Sequence, residues 1–313
     1  MRSSQLGLGF AVLSAGSFGT SGPFGDALFR AGWSPAAAIT IRVLIAAVAL
    51  AGPALFALRG KWNLVRTNAK FLFIYGLLAI TIAQLCFFNA VQYLPVGVAL
   101  LIEYSGVLLV VLWMWLRHGQ RPGAITLAGV AVAIVGLLLV LNLNQPGSLR
   151  PVGVLWALGA AVGLTGYYVL SAQIDPTLPP VAVAWTGMLV GGVALLLAGL
   201  VGLAPLHATT RPVTLLHHKL SWLVPMLGLS LLAAAVAYAA GIGAARRLGA
   251  RLSSFVGLTE VLFAVLFAWL FLGQLPKPIQ LLGGVFVIAG VGLVKAGEPD
   301  NSPDLVTPVP ELV

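Results

Sequence analysis

Charge is what this chain has least of. Only 8% of its 313 residues are Asp, Glu, Lys or Arg, against about 25% in an ordinary soluble domain. Apolar residues make up 60% and the mean hydropathy is +1.04. No single core hides that much apolar surface while clothing its outside in polar groups, so lipid is the solvent for most of the chain. Cysteine is almost missing: Cys86 lies alone inside an apolar run, which excludes a disulfide framework and a Cys-rich metal site. There is no nucleotide-cradling loop, zinc motif or nucleophile elbow, and no polar catalytic cluster. Neither an enzyme nor a cofactor or metal is expected. The net charge of +9 is scattered between apolar runs rather than gathered on one face. It reads as membrane topology and not as a nucleic-acid surface.

The apolar runs are what the chain has in quantity. A helix needs about 20 such residues to cross the hydrocarbon core. Runs of that kind cover about 5–24, 36–58, 71–91, 95–116, 123–143, 151–173, 180–203, 221–245, 252–272 and 276–295. They lack period-two alternation and are too long for barrel strands. Arg2, the short apolar stretch after it and Ser14-Ala15-Gly16 have something of a cleaved leader. The apolar run continues to Phe24, however, and the repeat described next uses it as a helix. Counting Lys and Arg between the spans, with the amino terminus inside, places eleven inside and five outside. The expectation is therefore a plasma (inner) membrane protein with both termini cytoplasmic. Residues 298–313, with four of the eight acids and four prolines, read as a disordered cytoplasmic tail.

Residues 94–140 laid on 248–294 without a gap give 17 identities in 47 positions. Trp115-Leu116-x-x-Gly119-Gln120-x-Pro122 returns as Trp269-Leu270-x-x-Gly273-Gln274-x-Pro276. Gly129 and Gly136 return as Gly283 and Gly290. The expected fold is all-α integral membrane, ten transmembrane helices as two inverted five-helix repeats, 1–147 and 148–297. Five spans per repeat force the second copy to insert upside down. Inverted repeats are a recurrent plan of secondary transporters, whose halves exchange conformations around a central site.

Three stretches carry a family resemblance: Ser34-Pro35-x6-Arg42, Leu94-Pro95-x-Gly97-x-Ala99-x3-Glu103-Tyr104, and the paired Gly-Gln-x-Pro and Gly-x6-Gly segments. On these the chain resembles the drug/metabolite transporter superfamily, in its EamA branch, and most closely the YddG-type amino-acid exporters. It departs from them at Gln120 and Gln274, where members often carry Glu. It departs again at Val107 and Val261, where they often carry a kinking Pro. The resemblance implies export of amino acids, neutral or aromatic ones first, or of related metabolites. A multidrug or cationic-compound exporter of the same fold is the alternative.

Ionisable groups inside spans are functional candidates, and there are three: Arg42, Glu103 and Glu260. Arg42 and Glu103 lie about 10 and 12 Å from the same end of their helices at 1.5 Å per residue. They suit the carboxylate and ammonium of an amino acid; the other reading is that they pair with each other, or that Arg42 snorkels outward. Glu260, near the midplane, suits proton coupling; the other reading is a carboxylate bonded to Ser, Thr or a helix end. Tyr104, Trp156, Tyr167, Tyr168, Trp185 and Tyr238 offer apolar surface to a substrate side chain, with Gln84 and Asn89 as hydrogen-bonding partners. Packing or an interfacial belt explains such aromatics equally well. Gly159-x3-Gly163 and Gly187-x3-Gly191 permit close helix approach, and Gly16, Gly19 and Gly22 mark a helix able to bend. His207, His217 and His218 read as solvated loop residues.

Overall fold

The computed structural model describes residues 2–94, 96–141, 150–215, 218–273 and 275–297. The expected tail, Pro95, His217 and Gln274 lie outside the described residues. In lipid each backbone N–H and C=O must be satisfied within the protein, and a helix does this inside one segment. Among the described residues, eight helices are long and apolar enough to cross a membrane. The longest, Leu223–Gly257, holds the eighth span and the start of the ninth, because it turns at Gly249, where φ is 76° and ψ is 167°. That left-handed conformation is open to glycine and costly for other residues. With this helix divided, and with the first helix Arg2–Gly19 added, the spans number ten.

Helix interruptions fall inside the spans as well as between them. The first span ends its regular helix at Gly19, and a second helix, Ser21–Arg30, carries it past the expected limit at Phe24. Thr20 marks the joint by donating its hydroxyl to the Ser17 carbonyl at 2.7 Å. The fourth span is Val96–Tyr104 and Gly106–His118, broken at Ser105; the ninth is broken at Leu258 before Thr259–Leu272. Proline is absent from both joints. Instead Ser105 donates to the Ile102 carbonyl at 2.6 Å and Thr259 to the Val256 carbonyl at 2.7 Å, the back-bonding that bends helices.

Spans three and eight carry a rarer feature. Span three runs as Ala69–Tyr75, the π-helical segment Gly76–Ile82, and Ala83–Tyr93. Span eight runs as Leu223–Ser230, the π-helical segment Leu231–Val236, and the part of the next helix before Gly249. The offset of 154 residues that relates the repeats lays one π segment on the other: Leu77-Leu78-Ala79 returns as Leu231-Leu232-Ala233.

Glycine faces set the packing. Span three is clasped between spans six and seven. A Cβ at Gly163 would stand 2.5 Å from the Ala83 Cα, and one at Gly187 2.9 Å from the Tyr75 ring. Spans five (Ala124–Leu141) and ten (Pro278–Gly297) meet backbone to backbone: a Cβ at Gly136 would lie 2.5 Å from the Val287 nitrogen, and one at Gly290 2.6 Å from the Ala133 nitrogen. Lipid covers the opposite faces, where side chains such as Val48 and Leu116 are 76% and 74% exposed. The loop between spans seven and eight folds into a short antiparallel hairpin, Val213–Leu215 with His218–Leu220. It packs on Phe24, Leu28 and Trp33, and the Ser34 hydroxyl ties the start of span two to it by donating to the Pro205 carbonyl at 2.6 Å. A loop hairpin of three-residue strands leaves too little periodic sequence to be read in advance.

On another side of the molecule, Asp175 accepts from the Thr177 N–H and hydroxyl at 2.8 and 2.7 Å, which holds its carboxyl below the usual range. Arg246 donates to the Leu178 and Pro176 carbonyls of the same loop.

A candidate substrate site around Arg42

Span two, Pro35–Ala57, begins with a Ser34 cap and Pro35 at its first turn, so its register is fixed at the end nearest Arg42. Two turns in, Arg42 is buried, at 2% exposure. It does not snorkel. It donates Nη1 to Gln84 Oε1 at 3.3 Å and Nη2 to the Ala233 carbonyl in the π segment of span eight. Its Nε is buried and has no hydrogen-bond partner among the described residues. The Gln84 amide donates onward to the Tyr238 hydroxyl at 3.1 Å, and that hydroxyl donates to the Ala79 carbonyl at 3.4 Å. The expected pairing of Arg42 with Glu103 does not occur: among the described residues the ion pair within 4 Å is Arg30 with Asp26. The reason is directional. Arg42 faces spans three and eight, while Glu103 stands in span four.

The two glutamates flank the two helix breaks. Glu103 closes Val96–Tyr104 and Glu260 opens Thr259–Leu272. Across the repeats Glu103 aligns with Gly257, and Glu260 with Gly106, so each carboxylate has a glycine as its counterpart. Both glycines are filled from span six: a Cβ at Gly257 would stand 1.9 Å from the Tyr168 hydroxyl, and one at Gly106 2.5 Å from the Ala161 carbonyl. A small cavity of about 10 Å³ opens beside Glu260, lined by Ser14, Tyr168, Ser253 and Gly257 among others. That is room for about one water.

Aromatic rings join the two groups of polar residues. Phe18, Tyr167, Tyr168 and Tyr238 stack edge to face, with centroids 4.9 to 6.3 Å apart, the arrangement that ring quadrupoles favour. The Tyr167 hydroxyl rests on Gly241, where a Cβ would come within 1.8 Å of it. The structure therefore brings Arg42, Gln84, Tyr238 and Tyr167 together, with Glu103, Tyr104 and Glu260 on the far side of the rings. Two sequence candidates stand apart. Asn89 is satisfied by the Leu85 carbonyl one turn back in its own helix, at 2.7 Å, and Trp156 packs in a separate cluster with Ala90, Leu94 and Ala99. Trp185 meets Trp62 edge to face at 6.4 Å. Sequence reading missed Phe18, Ser14 and the Ala79 and Ala233 carbonyls. The recurrence of Leu-Leu-Ala is a signal from which the last two could have been found.

Ten spans built as two related halves, with ionisable and aromatic groups converging between them, define a membrane transporter rather than an enzyme. The EamA-like transporter family matches this chain twice, over residues 5–142 and 151–295, and the chain belongs to that family. The threonine/homoserine exporter RhtA of Escherichia coli (strain K12) is 30% identical over 210 residues, which are 66% of this chain and 65% of the exporter. The chain thus spans just under two thirds of that relative's length. The RhtA proteins of the O6:H1 and O157:H7 strains match equally. A solved crystal structure superposes with a TM-score of 0.67 over 94% of this chain and 96% of that one; at 18% identity it speaks for the fold alone.

Proposed function

We propose that this transporter exports amino acids across the plasma (inner) membrane by alternating access, with Arg42 receiving the substrate carboxylate. One observation carries the reading. Arg42 is a buried guanidinium that makes no ion pair among the described residues. A buried charge with no carboxylate in contact is costly, and a charge of that kind inside a span marks a substrate or ion pathway. A carboxylate supplies that anion in the planar, two-point form a guanidinium binds best. The Phe18–Tyr167–Tyr238 rings provide for an apolar or hydroxylated side chain, and Glu103, beyond those rings, provides for the ammonium only once the halves close on the substrate. The resemblance favours neutral and aromatic amino acids, and the exporter relatives favour threonine and homoserine. Five spans per half mean that the halves insert with opposite sense, and opposed halves are the usual basis of alternating access.

The test is uptake into proteoliposomes across the standard amino acids, with and without a pH gradient, and with the lipophilic cation tetraphenylphosphonium as a comparison. Saturable uptake with counterflow of an amino acid is expected. Transport of tetraphenylphosphonium alone would replace this reading with that of a cationic-compound exporter.

Both termini are cytoplasmic in this reading, on the eleven-to-five bias of Lys and Arg. Reporter fusions after Arg66, Arg121, Arg247 and Gly297 are expected to read as cytoplasmic, and fusions near Arg30, Arg150 and Arg211 as external. A cytoplasmic signal near Arg211 would overturn the topology.

A further inference from the structure

We infer that Arg42 is a substrate-operated latch: in the structure described here it holds the π segment of span eight, and a substrate carboxylate takes that donor from the Ala233 carbonyl and frees the span. The inference rests on the amino-acid reading of the site and adds how binding is coupled to motion.

The two π segments are where spans three and eight depart from the regular ladder of i to i−4 bonds, and such segments mark bends and functional sites. Each has a carbonyl at an equivalent position, Ala79 and Ala233, that accepts a donor from outside its own helix. The donors are linked. Gln84 and Tyr238 are themselves counterparts, 154 positions apart, and they hydrogen-bond to each other at 3.1 Å. One continuous chain therefore runs from the Ala233 carbonyl through Arg42, Gln84 and Tyr238 to the Ala79 carbonyl. It ties one π segment to the other through a pair of residues that occupy the same place in the two halves.

A ligand shifts a conformational equilibrium only by interacting differently with the two states. Arg42 supplies the difference. Its bond to Ala233 is to a neutral carbonyl, whereas a carboxylate forms charge-assisted bonds roughly twice as strong. The guanidinium is a rigid planar fork, so turning its Nε–Nη2 edge to grip a carboxylate competes with the aim of Nη2 at the helix carbonyl. Nε, already without a partner, is the second nitrogen of that edge. Gln84 and Tyr238 are positioning residues: they keep the fork aimed and couple its release to span three.

Cys86, the single cysteine, reports the motion without engineering. It is buried two residues beyond Gln84, with its Sγ against Gly159 of span six, so a maleimide reaches it when those spans part. In ligand-free proteoliposomes, Tyr238→Phe and Arg42→Lys are each expected to label about five-fold faster than wild type, the population change that follows loss of an ordinary hydrogen bond. Melting curves and gel filtration identify which variant is folded, and Tyr238→Phe is the milder change. L-Threonine and L-phenylalanine, whichever is carried, should speed wild-type labelling, while their carboxamides should not. Unchanged labelling in the folded variants overturns the latch, as does an equal response to acid and carboxamide. Failure of the wild type to take up any amino acid overturns the exporter reading instead, and the ligand-free comparison still decides the latch on its own.

Discussion

Glu103→Gln and Glu260→Gln proteins, reconstituted at matched amounts, are expected to transport at least ten-fold more slowly than wild type while remaining folded. Each substitution keeps the shape of the side chain and removes its charge. Losing a charged hydrogen bond in a buried site costs about 1.5–3 kcal/mol, a factor of about ten or more. The two variants should fail differently. Glu103 stands at the carboxyl end of its helix, where the helix dipole favours a cation, so its loss should raise KM for the amino acid. Glu260 opens its helix beside the small cavity that Ser14 and Tyr168 line, so its loss should act on kcat and on the response to a pH gradient. Because Arg42 bonds to Gln84 and Ala233 and makes no ion pair with Glu103, adding Arg42→Gln to Glu103→Gln should not restore thermal stability. Recovery in the double variant would show that the two charges compensate each other after all. Wild-type uptake by Glu103→Gln would remove that residue from the site.

The second large effect is on stability. Gly136→Ala and Gly290→Ala are each expected to lower the melting temperature sharply, because the added methyl meets backbone atoms 2.5 and 2.6 Å away that cannot turn aside. Overpacking of a close-fitted contact typically costs about 1–3 kcal/mol, and a backbone clash belongs at the upper end. Gly292→Ala is the internal control. It lies two residues from Gly290 on the same helix, and its Cβ would enter open space. That change should be neutral or stabilising, by about 0.4–1 kcal/mol through the unfolded chain. Equal melting temperatures for Gly290→Ala and Gly292→Ala would contradict the seam between spans five and ten.

Much of the fold was legible because lipid imposes a simple rule on sequence. Twenty apolar residues make a span, and the Trp-Leu-x-x-Gly-Gln-x-Pro recurrence exposed the two halves. Arg42, Glu103 and Glu260 stood out for the same reason, as charges in an apolar run. Their partners were less legible. Depth along a helix could be counted, and it put Arg42 level with Glu103, but depth leaves the direction of the side chain open. The joints at Ser105 and Leu258 were obscured by the absence of proline, since back-bonding by Ser105 and Thr259 leaves only a common residue as its trace. The π segments were hidden because an apolar helix surrounded by apolar neighbours has no polar face whose phase could reveal an extra residue.

The paired π segments also speak to the history of the chain. A π segment arises when a helix holds one residue more than its α-helical ladder accommodates. Here the 154-residue offset passes through both segments without a gap, from Leu77-Leu78-Ala79 on Leu231-Leu232-Ala233 to the matching ends of spans five and ten. Two separate insertions at the same place would be a coincidence. An extra residue at the same place in both halves is what descent from one half that already held it would leave, with Gln84 and Tyr238 among the positions where the two copies now differ.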